Sequence, residues 1–374
     1  MRTTRPTTLA RRSALLAAAL LTATPLAAQR VRAASGVAVR AENPLAVERP
    51  DETLSLSWRE LQRRLPGLRA GAVRVLDAGS RAELPAQVLD ADGDQAPASA
   101  PAARAHAHHD ARRDDLAWEN DRVAFRTYGQ GLWALEDLVS SGLDVWLKRT
   151  RALVLARWYA DGHYHTDSGE GADFYSVGPT LGAGGSAVWR DGALRRARNF
   201  SSYRILADGP IRALVELEYA PWDSAGTAVA ETKRISLDAG QNLFRQESLL
   251  RFAGVPQLTY AVGPVKREGL VGSSRRAGAW AWLATWGPVE RKNGGHGALG
   301  TAVLMDSAHG PDARELSDHY VLLATARPGV PTVQYVGAAW TASGDFPSAE
   351  AWWRYLDAFA QRLAHPIRVT ILPS

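Results

Sequence analysis

The sequence predicts an all-β protein with minor helix, built as a large antiparallel β-sandwich. Three observations carry this. Ile211, Ala213, Val215, Leu217 and Tyr219 alternate with Arg212, Leu214, Glu216 and Glu218, the period of a strand with one buried and one mostly polar face. Turn formers such as Asp208-Gly209 and Asp238-Ala-Gly-Gln-Asn242 separate such runs at short intervals. Helical spacing is confined to a few segments, so the chain lacks the strand-helix alternation of a parallel sheet.

Taken in order, residues 1–34 hold six arginines and no acid, and run from Arg11-Arg12 through apolar Ala14–Leu21 to small residues ending at Ala34. That order is a secretory signal, and the arginine pair suits the twin-arginine route. The apolar run is short and broken by Thr22, Thr24 and Pro25. No stable membrane span is therefore expected in the mature form, which should be periplasmic or secreted as a single domain over 35–374.

Val37–Ala41, Thr53–Trp58 and Val73–Asp77 read as the first strands. Residues 95–115, rich in alanine, proline, histidine and charge, show no period and read as a mobile loop, with His106, His108 and His109 solvated rather than gathered on a metal. Trp118 to Tyr128 reads as one strand. Val123 and Phe125 then face the core, while Asn120, Arg122, Ala124, Arg126 and Tyr128 share the other face, opposite Glu119 and Asp121. Arginines so separated from local acids are candidates for an anionic ligand.

Residues 131–160 read as a helical or mixed insertion, since Ala152, Leu155, Ala156 and Tyr159 keep helical spacing before the stop at Asp161-Gly162. Gly182–Gly185 lacks the flanking signature of a phosphate loop. Further strands are expected at 211–219, 230–237, 243–252, 279–286 and 333–340. Ser348 can cap a helix with an apolar stripe of Trp352, Leu356, Phe359 and Leu363, and Ile367, Val369 and Ile371 supply a final strand.

Composition removes several functions. The chain is formally +5, and removing the six arginines of the signal leaves −1, too little positive charge for a DNA or RNA partner. The absence of cysteine excludes disulfides, thiolate metal sites and cysteine nucleophiles. Most of the thirteen tryptophans should pack the core; a few exposed ones would suit a sugar ring.

Chemistry concentrates in residues 163–175, His-Tyr-His-Thr-Asp-Ser-Gly-Glu-Gly-Ala-Asp-Phe-Tyr. In an extended segment His163, His165 and Asp167 project to one side and can ligate zinc or a similar divalent ion. Without metal, His163 or His165 can serve as base and Tyr164 or Tyr175 as acid. Glu170 and Asp173 can bind calcium or orient a histidine. Downstream, Asn199, Tyr203 and Arg204 precede a turn, and Glu216 and Glu218, neighbours on one strand face, suit salt bridges better than paired catalysis.

Four blocks, Trp118–Arg126, Gly142–Arg149, Tyr164–Tyr175 and Asn199–Arg212, resemble a secreted bacterial family catalogued as domain of unknown function 4861. The resemblance covers most of the mature chain and departs mainly in the alanine- and histidine-rich stretch before Asp114. It implies a sandwich of galactose-mutarotase type and a place beside enzymes that degrade pectin and other uronate polysaccharides. The expected ligand is an acidic oligosaccharide or polysaccharide, and the expected reaction β-elimination by a polysaccharide lyase. Asn120, Arg126, Tyr128, Tyr203 and Arg204 would bind substrate, Arg126 or Arg204 neutralising the uronate. The alternatives are a hydrolase or epimerase on the same fold, or a non-catalytic glycan-binding protein.

Overall fold

The computed structural model describes residues 36–89, 102–136, 138–289 and 295–372, apart from the side chains of 134 and 136. The expected secretory signal lies outside them. The fold is an antiparallel β-sandwich. Its larger layer is a sheet of eight strands, from edge to edge Ser202–Asp208, Arg212–Ser224, Thr227–Asp238, Leu243–Arg251, Thr332–Trp340, Ala298–Asp306, Trp280–Pro288 and Val271–Ala277. The inward residues of this sheet, among them Val215, Leu217, Phe244, Val303 and Val336, pack in one apolar core against two five-stranded sheets.

One smaller sheet runs Ala193–Arg195, Ser186–Arg190, Leu258–Val262, Tyr320–Ala326, Asp312–Glu315, and contributes Val188, Tyr260 and Leu322 to the core. The other runs Ala105–Asp110, Asp115–Asn120, Ala124–Tyr128, Asp144–Lys148, Gly171–Ala172, and contributes Leu116, Trp118, Phe125 and Val145. A parallel bridge between Leu143 and Gly182 joins these two sheets. A Cβ at Gly182 would fall 2.1 Å from the Leu143 carbonyl oxygen, and φ there is +62°, so the close approach needs glycine.

On its outer face the large sheet is covered by the helix Ala349–Ala364. Ser348 Oγ accepts from Ala351 N, and Trp352, Leu356 and Phe359 are buried against Trp282, Ala302 and Leu304. Each such side chain contributes about 1.5–3 kcal/mol by leaving water. Arg368–Ile371 then pairs with Val39–Glu42, so the two ends of the domain meet. All thirteen tryptophans are buried or half-buried, and most belong to the apolar clusters.

Four expectations need correction. Thr53–Trp58 forms no strand; Trp58 opens the helix Trp58–Arg64, whose cap Ser57 accepts from Glu60 N, because a serine three residues before a glutamate is a helix start and no partner strand lies alongside. Residues 105–110, inside the stretch expected to be mobile, are a strand; residues 90–101 lie outside the described residues. Its alternation was hidden because the inward positions, Ala105 and Ala107, are small, with His106 and His108 facing outward. The 131–160 insertion holds the helices Leu132–Glu136 and Leu155–Asp161, but between them Asp144–Lys148 is a fully buried strand.

The fourth concerns Trp118–Tyr128, which is a hairpin and not one strand. Asn120 Oδ1 accepts from Arg122 N and Val123 N and turns the chain back on itself. Glu119 then pairs with Ala124, and Ala117 with Arg126. The fold-back therefore puts Asp115, Glu119 and Arg126 on one face, where a single strand would have separated them.

Candidate active site on the outer face of the smaller sheet

The outer face of the sheet containing Ala124–Tyr128 is a charged layer, closed over by the helix Leu155–Asp161 and the segment His163–Tyr175. Two ion-pair systems lie on it. Lys148 Nζ donates to Glu119 Oε2 (2.5 Å) and to the Asn120 carbonyl (2.7 Å), while Glu119 Oε1 accepts from Val154 N and Leu155 N. This pair is fully satisfied.

The second is centred on Arg126. Its Nε donates to Asp144 Oδ2 (2.9 Å), and its two terminal nitrogens reach Asp173 Oδ2 (3.0 Å) and Asp115 Oδ2 (3.4 Å). Tyr159 OH also donates to Asp115 Oδ2, at 3.2 Å. The rings of Tyr128, Trp146 and Tyr164 surround the guanidinium at 5.1–5.5 Å. One cation thus faces three buried carboxyl groups. Burial pushes Asp115 up to about 7, and burial followed by the nearby Asp144 pushes Asp173 well above the usual carboxylate range. Asp115 Oδ1 meets no donor among the described residues.

From this cluster a path leads to solvent. His165 Nδ1 lies 3.4 Å from Asp173 Oδ2 and 3.2 Å from the Asp173 carbonyl oxygen. A carbonyl only accepts, so Nδ1 is the donor in this contact, and in a neutral ring Nε2 is then the acceptor. The imidazole is 65 % exposed, whereas the carboxyl behind it is 1 % exposed. Asp173 N donates to the Tyr164 carbonyl, which fixes the two ends of the segment against each other. Tyr164 stacks on Trp146 at 4.8 Å and touches His165 at 4.4 Å between ring centroids. Burial raises its phenol, keeping it in the protonated form a proton donor needs. On the same segment His163, Tyr164, Thr166 and Ser168, with Arg157, Trp158 and Asp161, line an open cavity of about 520 Å³.

The residues singled out from sequence separate into three groups. His163 and Tyr164 line the cavity, while His165 lies against the Tyr164 ring outside its lining and has its Nδ1 beside Asp173. Tyr175 is buried with Arg267 over its ring. The trio His163, His165 and Asp167 is not assembled for zinc or calcium: Asp167 turns to Arg149 and to Gly169 N and Gly171 N, and among the described residues no group of three histidines or acids is placed to hold a metal.

The expected substrate binders are engaged elsewhere. Asn120 also donates to the Asp238 and Gln241 carbonyls, so it is a turn clamp. Arg122 pairs with Asp345. Arg126 is buried among carboxylates and Tyr128 lies against it, so neither awaits an anion. Tyr203 stacks on His109, and Arg204 pairs with Glu216 on the large sheet. Asn199 pins Trp133 Nε1 and Ser140 N. Glu216 and Glu218 serve salt bridges to Arg234 and Arg251, as their spacing implied.

Asp115, Asp144 and Tyr159 were missed. A signal existed at Asp144: Asp144, Trp146 and Lys148 alternate with apolar Val145 and Leu147, which marks an acid and a base on one strand face.

The comparisons with known proteins agree with the resemblance. Residues 41–100 and 96–369 match the family described as Domain of unknown function (DUF4861). The chain belongs to this family. It is 33% identical over 280 residues, 70% of this chain and 68% of the other, to a Formosa agariphila protein named "Uncharacterized protein P7". Among solved structures, the galactosidase domain of an alpha-galactosidase-sucrose kinase overlaps 62% of this chain and 41% of its own, at 11% identity and a TM-score of 0.30. So loose an overlap, spanning well under half of that chain, carries neither fold nor function.

Proposed function

We propose that this DUF4861 protein is a carbohydrate-active enzyme that works by proton transfer, with His165 as the base and Tyr164 as the acid. The observation that carries the reading is the exposed imidazole whose Nδ1 is held by Asp173 at the end of a buried charge cluster. This is how a histidine is oriented to take a proton at Nε2. The cavity beside Tyr164 gives room for a sugar, and the family resemblance supplies the context of polysaccharide breakdown after export.

In the leading version the reaction is β-elimination on a uronate. His165 Nε2 takes the C5 proton, the C5 electron pair forms the C4=C5 double bond, and the C4–O4 bond breaks with Tyr164 protonating the departing oxygen. Arg126 is buried and Arg204 lies on the large sheet, so the cation facing the substrate carboxylate falls to Arg157 on the cavity wall, 48% exposed, which the substrate would share with Glu170. A second reading follows from the acid excess around Arg126, which suits a neutral sugar; there the same pair would hydrolyse or epimerise.

The test is a panel of pectic, ulvan-like and alginate oligomers followed by unsaturated-uronate absorbance and product mass. Elimination adds no water, hydrolysis adds one, and epimerisation leaves mass unchanged. His165→Ala should lower turnover by about 10²–10⁴-fold with the fold intact. Glycan binding that survives the substitution, with no turnover in either protein, would leave a binding protein and end the enzyme reading.

A further inference from the structure

The run Arg195-Arg196-Ala197-Arg198 has no part in the site above. It leaves the edge strand Ala193–Arg195 and enters a short loop that is held at two points. Ala197 is 6% exposed, and Asn199, 1% exposed, is bound to Trp133 Nε1 (2.8 Å), Ser140 N (2.9 Å) and the Gly129 carbonyl (2.9 Å). The loop therefore presents its side chains from a fixed backbone.

The three guanidiniums, gathered on one short loop, differ from the arginines that pair with acids. Arg104, Arg122, Arg126, Arg151, Arg204 and Arg212 all meet carboxylates. The side chains of Arg195, Arg196 and Arg198 have no hydrogen bond or ion pair among the described residues. Arg195 Nε is buried without an acceptor. Arg196 is half-buried, and burial pulls its pKa down; Asp318 opposes this only at a distance and is itself paired with His319. Arg198 is exposed and lies 4.2 Å over the face of Trp133, which orients it while leaving its N–H groups unused. Holding desolvated guanidinium without an acceptor costs free energy, and a planar or tetrahedral oxyanion relieves that cost with paired charge-assisted hydrogen bonds.

We propose that Arg195, Arg196 and Arg198 form a binding site for a small oxyanion, the carboxylate or sulfate group of a ligand. The site stands independently of the acid–base assignment to His165, so either can fail alone. If the ligand is a glycan, this loop reads its acidic substituent.

The test uses the full protein in chloride buffer at constant ionic strength, titrated with sodium sulfate and, separately, sodium glucuronate, by calorimetry and thermal melting. At least one of the two should bind saturably and raise the melting temperature, where chloride does not; which one does distinguishes a sulfate from a carboxylate. Arg196→Gln should weaken that binding at least tenfold and Arg198→Gln several-fold. Arg59→Gln, at an exposed arginine on the helix Trp58–Arg64, should leave it unchanged. If Arg196→Gln does not fold, the exposed Arg198→Gln decides alone. Absence of saturable binding by both anions, or equal binding in the native protein and Arg198→Gln, overturns the proposal.

Discussion

Lys148–Glu119 and Arg126–Asp115–Asp144–Asp173 sit on the same face of the same sheet, and both are buried. In the first, one cation meets one anion and every remaining oxygen has a backbone donor. In the second, one cation meets three acids, Asp115 Oδ1 is among the oxygens left without a donor, and the last carboxyl touches an exposed histidine. The balanced pair is a fastening between strand, hairpin and helix. The unbalanced cluster retains protons and has an outlet to solvent, which is what a site for proton chemistry requires and a fastening does not.

The comparison breaks first at the balanced pair. Lys148→Met leaves the Glu119 carboxylate buried without its cation and should cost about 3–5 kcal/mol in denaturant unfolding. A loss under about 1 kcal/mol would show that Glu119 does not depend on Lys148 and that the two systems are not different in kind.

A smaller effect sharpens the unbalanced cluster. A carboxyl raised from 3.8 to about 7 in the folded protein favours folding fully while protonated. Its contribution is lost as pH rises from about 4 through 7. Asp115→Asn keeps an oxygen for Tyr159 and Arg126 but removes the ionisation. The variant's stability should fall less steeply across that window, and at pH 8 it should exceed the native protein by about 1–3 kcal/mol. Parallel stability–pH curves for the two proteins would mean that Asp115 ionises without cost.

The smallest effect belongs to the exposed ladder on the large sheet, where Arg204 shares Glu216 with Arg234. Arg204→Gln should leave both the denaturant midpoint and turnover indistinguishable from the native protein, since solvent screens the pair and Arg234 retains the carboxylate. A clear drop in turnover would return Arg204 to the substrate site.

Much of this architecture is readable from residues a few positions apart. The strands Arg212–Ser224, Thr227–Asp238 and Leu243–Arg251, the helix capped by Ser348 and the dense segment His163–Tyr175 follow from local period and turn chemistry. The strand at 105–110 escaped because alanine is a weak marker of an inward face. The charge partners escaped for a different reason. Asp144 and Asp173 lie 18 and 47 residues from Arg126, and Asp115 reaches its face only because Asn120 turns the hairpin.

By itself, then, the sequence determined the alternation that makes a sandwich and the segment where reactive side chains gather, because both are properties of neighbours along the chain. Only the tertiary structure decided which histidine is held by a buried acid, that Arg126 is saturated, and that Arg195, Arg196 and Arg198 are not. Those outcomes depend on strand register and burial, which set the dielectric and the partner of each charge and are not local quantities.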